Sequence, residues 1–193
     1  MKVLLATSNQ GKLREFNHAF ENSGISFIAL ADIENPPEVE ETGDTYEENA
    51  LLKAHALAKH TGMPVVGEDS GIEIDAMPGE LGVKSARFAG GRDYKEVNDI
   101  ILERLKDSAN RACRYVCAIA YVDPESGREE VFRKTCEGTI YDRQVGENGF
   151  GYDPIFYVPE YEKTMAELPI GVKSLISHRA LAIVKLKSIL DVR

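Results

Sequence analysis

The chain has 193 residues, 43% of them hydrophobic and 28% charged, enough for a domain with a real core and free of the bias that marks disordered chains. Asp and Glu number 32 against 23 Lys and Arg, a formal charge of −9, so long polyanions are repelled and general nucleic-acid binding is disfavoured. A small phosphorylated ligand remains open, provided local lysines and a metal offset that field.

Lys2 to Thr7 is an apolar run that predicts a buried strand, too short for a signal-peptide core or a membrane span, so a soluble cytoplasmic protein is expected. Ser8 or Asn9 can cap a helix whose Leu13, Phe16, Ala19 and Phe20 recur at helical spacing. Ser26 to Leu30 reads as a second strand. After Pro36 and Pro37, an acidic stretch contains Thr45 and Glu48, a capping box for a helix that ends near Gly62. Ala50, Leu51, Ala54, Leu57 and Ala58 would form its buried face.

Two short strands, Pro64 to Gly67 and Ile72 to Ala76, are predicted to flank Glu68-Asp69-Ser70-Gly71. A Gly-rich loop from Pro78 to Gly91 precedes a helix from about Asp93 to Lys106. Tyr115 to Val122 and Glu130 to Tyr141 read as strands joined by the turn DPESG. Alternation puts Cys113 and Cys117 on one strand face. With Cys136 they lack CxxC spacing and read as buried thiols, not as a disulfide framework or zinc site. Thr164 and Glu167 form a second capping box, and a last helix begins near Ser177. The expected architecture is α/β with a mixed sheet, in a single domain spanning 1–193.

Five groups could carry chemistry. Thr7, Ser8, Asn9, Gln10, Gly11 and Lys12 form a polar strand-to-helix loop where N–H groups and the helix dipole favour phosphate. A capped turn with a solvated lysine fits these residues equally well, and the Walker A pattern is absent. Glu40, Glu41, Glu68 and Asp69 offer the hard oxygens that Mg²⁺ takes, although Asp and Ser before Gly also make ordinary turns. Lys53 shares a helix face with Asn49, although a lone lysine there reads first as a solvated surface residue. Gly149 to Pro154, GFGYDP, would let backbone approach a ligand while an aromatic ring stacks on a flat base, with Asp153 accepting from a base N–H. Lys173, Ser174, Ser177, His178 and Arg179 supply donors near the last helix. No catalytic triad or HExxH is present, and His18, His55 and His60 lack ligand spacing.

In order along the chain, SNQGKxxE, VEETGxTxEENAxxKA, EDSG, SARFAG, GFGYDPIF, and EKTMAEL with KSxISHR resemble the inosine/xanthosine triphosphate pyrophosphatase family. The resemblance runs nearly end to end. It implies an elongated mixed sheet flanked by helices, two lobes with a substrate cleft, and a homodimer. By the same resemblance, Thr7, Ser8, Asn9, Gln10, Gly11, Lys12 and Lys53 would meet the phosphates and sugar, and Ser70 would touch the substrate. Glu41 and Asp69 would hold Mg²⁺, with Asp69 also the general base or the residue that fixes the metal. Phe150, Gly151, Tyr152, Asp153, Lys173, His178 and Arg179 would read the base. The implied reaction cleaves ITP, dITP, XTP or dXTP to the monophosphate and pyrophosphate. A pyrophosphatase for modified pyrimidine nucleotides and a non-catalytic nucleotide-binding regulator are the alternatives. Departures from the family pattern fall at Glu68, at Leu81 to Arg87 and at Gly171-Val172.

Overall fold

The computed structural model describes residues 1–190. The first apolar run forms β1 (Lys2–Leu5), and Asn9 caps α1 (Gln10–Ala19). After β2 (Ser26–Ile28), Thr45 and Glu48 make the predicted capping box on α2 (Tyr46–Thr61), which Gly62 ends in the left-handed conformation. β3 (Val65–Ile74) follows, then the short α3 (Ser85–Ala89) and α4 (Tyr94–Arg104), capped by Asp93. The predicted hairpin strands are β4 (Ala112–Asp123) and β5 (Arg128–Ile140). β6 (Phe156–Val158), β7 (Lys163–Thr164), α5 (Ile170–Ile176) and α6 (His178–Leu190) complete the described chain.

The strands form one sheet in the order β2-β1-β3-β4-β5-β6-β7. β1 pairs in parallel with β2 and β3, whereas β6 pairs antiparallel with β5 and β7. The expected mixed α/β sheet is therefore present. Asn17 of α1 closes the edge strand β2 by bonding both backbone groups of Phe27, at 2.8 and 3.0 Å.

Two compact units can be distinguished. The first comprises Met1–Asp69, Cys117–Lys134 and the chain from Arg179 onward; the second comprises Ser70–Val116 and Thr135–His178. Each has its own core. In the first, Phe16, Phe20 and Phe27 pack edge to face at 5.0–5.2 Å beside Val3, Leu5, Val66, Ile119 and Leu186. In the second, Ile72, Val97, Ile101, Tyr115, Ile155 and Phe156 lie among the buried residues.

Two local expectations are corrected, at EDSG and at Leu51. The EDSG segment is not a turn between two strands, because β3 runs through it unbroken. The turn preference of Asp, Ser and Gly is overridden because both buried acids find cationic partners in the extended chain. A helix of its own, α5, precedes the last one; Pro169 sits at its start and the extended backbone at Ser177 separates it from α6. The predicted Thr164–Glu167 capping box is present and closes a single 3₁₀ turn, with Glu167 accepting from the Thr164 amide at 2.8 Å. α2 buries Tyr46, Asn49, Ala50, Ala54, Leu57 and Ala58, while Leu51 is only partly covered.

Candidate active site

Because EDSG is a strand, alternation sends Glu68 and Asp69 to opposite faces of the sheet. Each collects a different set of partners.

Glu68 is 2% exposed. Its Oε2 lies 2.7 Å from Lys12 Nζ, and its Oε1 accepts from Arg179 Nε at 3.0 Å and from the Cys117 thiol at 3.5 Å. Arg179 Nη1 also reaches Glu15, at 3.4 Å. Burial alone would raise the Glu68 pKa. Lys12 and Arg179 outweigh that effect and hold the carboxyl well below the usual range. The sequence offered Lys12 as part of a phosphate loop or as a solvated lysine; its contact with Glu68, and the shared carboxylate joining it to Arg179 across 167 positions, were not visible.

Asp69, 8% exposed, faces α2. Its Oδ2 accepts from Asn49 Nδ2 at 3.3 Å, and its Oδ1 lies 3.5 Å from Lys53 Nζ. Lys53 also meets Glu41 Oε1 at 2.7 Å. Asn49 is fully buried and turns back to bond the Gly43 amide at 2.8 Å, tying the Glu41 loop to the helix. Gly67 makes this arrangement possible: a Cβ there would run into the Ala50 carbonyl, so only glycine lets α2 lie so close to β3. Burial raises the Asp69 pKa, and the neighbouring Glu41 adds to it, against the opposing pull of Lys53.

Glu41 and Asp69 thus converge on one ammonium, a site where two hard carboxylates already share a cation. That donor set fits Mg²⁺, which takes one or two carboxylates and completes its shell with water and phosphate oxygens. Among the described residues no three His, Cys, Asp or Glu side chains form a closed metal cage.

In the loop before α1, Asn9 Oδ1 accepts from the amides of Gly11 and Lys12 at 2.8 and 3.3 Å, and Thr7 Oγ1 accepts from the Asn9 amide at 3.1 Å. The expectation of free N–H groups is corrected for these three, which the cap occupies. Ser8, Asn9 and Gln10 are exposed, with Thr7, Gly11 and Lys12 partly so. Ser70 follows Asp69 on β3 and is partly buried.

In the second unit, the GFGYDP loop is built around Asp153. Its Oδ2 accepts from Lys173 Nζ at 2.8 Å and the Phe150 amide at 3.3 Å, while Oδ1 accepts from the Tyr115 hydroxyl at 3.0 Å. Gly149, at φ +96°, is required there because a Cβ would overlap both Asp153 Oδ2 and Lys173 Nζ. Tyr152 is buried and spends its hydroxyl on the Ser85 carbonyl at 2.7 Å. Phe150 stands out at 68% exposed, and Gly151 beside it has φ +65°. His178 stacks on Tyr115 with ring centroids 4.8 Å apart.

The predicted residues therefore assemble into separate groups: Lys12 and Arg179 on Glu68, Lys53 and Glu41 with Asp69, and Phe150 and Asp153 in one loop with Lys173 of α5 bonded to Asp153. His178 and Arg179, adjacent in sequence, belong to different units. Tyr115 was not singled out; Glu68 was offered only as a hard-oxygen donor and Asn49 only as a helix-face neighbour of Lys53. Only the buried charge at Glu68, and the position of Asn49 one turn before Lys53, offered a clue.

Residues 3–189 match the model of the Ham1 family. The chain belongs to the Ham1 family. It is 47% identical over 190 residues to the dITP/XTP pyrophosphatase of Bacillus anthracis, covering 96% of this chain and 94% of that one. Among solved structures, the Staphylococcus aureus Ham1 protein superposes with a TM-score of 0.91 at 41% identity, covering 99% of this chain and 98% of that one. The nucleoside-triphosphatase / dITP/XTP pyrophosphatase of Mycobacterium abscessus gives a TM-score of 0.78 at 40% identity, covering 98% and 100%. Among the described residues no helix is long and apolar enough to cross a membrane.

Proposed function

We propose that this Ham1 family chain is a magnesium-dependent pyrophosphatase that converts deaminated purine nucleoside triphosphates, ITP, dITP, XTP and dXTP, to the monophosphate and pyrophosphate. It would act in the cytoplasm as a homodimer and cleanse the nucleotide pool. The observation that carries the reading is the meeting of Glu41, Lys53 and Asp69, two carboxylates and an ammonium around one point.

In this reading water attacks the α-phosphorus, the bond to the bridging oxygen of the β-phosphate breaks, and pyrophosphate leaves. Glu41 and Asp69 would hold Mg²⁺, which when bound supplies charge neutralisation on the phosphates and an acidified water. Asp69 would take the proton of the attacking water directly or fix the metal that acidifies that water. Lys53 neutralises charge on the departing phosphates. Lys12 keeps one N–H on Glu68 and has two more donors for phosphate oxygens. Thr7, Ser8, Asn9, Gln10 and Gly11 line that loop, and Ser70 is placed beside Asp69.

The base falls to the second unit's loop, with Arg179 also assigned to it. The exposed Phe150 ring offers a stacking face; Gly151, Tyr152 and Asp153 follow it in sequence, Lys173 bonds to Asp153, and His178 stacks on Tyr115, which bonds the same Asp153. Donors there pair with the 6-oxo group of hypoxanthine and xanthine. The 6-amino group of adenine would face those donors unpaired, at about 1–3 kcal/mol for each buried group left unsatisfied.

The test measures pyrophosphate and orthophosphate release from ITP, XTP, ATP and GTP, with Mg²⁺ or with EDTA. Magnesium-dependent pyrophosphate from ITP and XTP, with little from ATP and GTP, is expected. Orthophosphate alone would move the attack to the γ-phosphorus and overturn the mechanism.

A further inference from the structure

The second unit contains a residue that touches both sides of the proposed base site and that the reaction itself does not use. Tyr115 lies in β4 and is 7% exposed. Its ring is stacked twice, on Phe156 at 4.2 Å with an interplanar angle of 16°, and on His178 at 4.8 Å and 21°. Its hydroxyl donates to Asp153 Oδ1 at 3.0 Å.

The contacts matter because of what they leave to their partners. With Oδ1 held by Tyr115, Oδ2 of Asp153 is shared between Lys173 Nζ and the Phe150 amide. The carboxylate thereby fixes the root of the exposed Phe150 ring and the direction of the Lys173 ammonium. On the other side, a flat ring packed against the imidazole restricts His178 to one plane. Burial, reinforced by the Asp153 charge, pushes the phenol pKa well up, so the hydroxyl remains a donor across the working range. A phenylalanine would pack equally well, which makes the hydroxyl the distinctive feature. A buried hydroxyl without a partner is unfavourable by about 1–3 kcal/mol, and here it is matched to the one buried carboxylate of the loop.

We infer that Tyr115 is a positioning residue for base recognition, holding Asp153 through its hydroxyl and His178 through its ring. The inference rests on the proposed assignment of this loop to the base.

The decisive variant is Tyr115→Phe, which keeps both stacks and removes one oxygen. KM for ITP should rise about threefold to tenfold, the effect of one lost hydrogen bond of ordinary strength, with kcat within twofold of wild type. The ITP:ATP ratio of kcat/KM should fall, while the affinity for inorganic tripolyphosphate, which has no base, should be unchanged. A lowered Tm with KM and the ITP:ATP ratio unaltered would make Tyr115 a core residue only and overturn the inference.

A measurement on the wild-type protein is independent of whether the variant folds. Of the four histidines, His178 should give an imidazole C–H proton resonance shifted upfield by the stacked ring. That resonance should move when ITP binds and not when tripolyphosphate binds. A resonance insensitive to ITP in an active enzyme would also overturn the inference. Absence of pyrophosphate release from ITP and XTP by the wild type is a different failure, because it removes the proposed function itself.

Discussion

Replacing Glu68 by Gln keeps the shape of the side chain and deletes its charge, leaving the two cations with an amide. Lys12 is 22% exposed at its side chain and can turn its ammonium to water, so its loss is modest. Arg179 cannot, being 6% exposed with its Nε aimed at the missing carboxylate. The more distant and half-exposed Glu15 compensates only in part. Removing one member of a buried pair is unfavourable by about 3–5 kcal/mol, and the residual partners place this case near the lower end. For a chain of this size, about 3 kcal/mol corresponds to a fall in Tm of roughly 6–12 °C. Urea titration and thermal unfolding would read this directly. The double variant Glu68→Gln/Arg179→Met should be less destabilised than the sum of its parts, because it removes the stranded cation. A Glu68→Gln protein within about 1 kcal/mol of wild type would refute the buried-pair reasoning.

Four further outcomes are expected. Asp69→Asn should lower kcat by about 10²–10⁴-fold, the usual effect of losing a general base, with Tm close to wild type; near-wild-type turnover in steady-state pyrophosphate assays would remove Asp69 from its role. Gly149→Ala should weaken ITP binding and lower stability, since the new methyl overlaps Asp153 and Lys173 at a positive φ; calorimetric binding of ITP checks it, and unchanged affinity counts against the loop. Arg179→Ala should raise KM for ITP and narrow the ITP:ATP gap; a loss of stability with that ratio unchanged would leave Arg179 solely as the counter-ion of Glu68. The native protein should show no fast thiol with a disulfide reagent near pH 8, because Cys113, Cys117 and Cys136 are all buried and burial pushes their pKa up, that of Cys136 to about 11. Three thiols should react on unfolding, and a rapidly reacting native thiol would contradict that burial.

The reading of local structure succeeded where the cause was local. Thr45 with Glu48, and Asn9 before α1, each cap the helix they precede, since a capping side chain acts within three residues of itself. The β4–β5 pair was legible because two long runs with strand-forming residues flank the turn DPESG. EDSG was misread for the same reason: on local preference it is a turn. What makes it a strand is an ammonium and a guanidinium brought to Glu68, and a lysine and an asparagine brought to Asp69, from other helices.

By itself the sequence determined the mixed α/β class, the capped helices, the reduced buried cysteines and, through the ordered blocks, the family. These depend on short-range chemistry or on a pattern written along the chain. Only the tertiary structure decided that two adjacent acids work on opposite faces of one strand, that Lys12 and Arg179 share one carboxylate, and that Tyr115 binds Asp153 to His178. Strand alternation separates neighbours, and folding joins residues more than a hundred positions apart; neither partner carries a local mark of the other, because the energy of a buried ion pair or stacked ring exists only once both have left water.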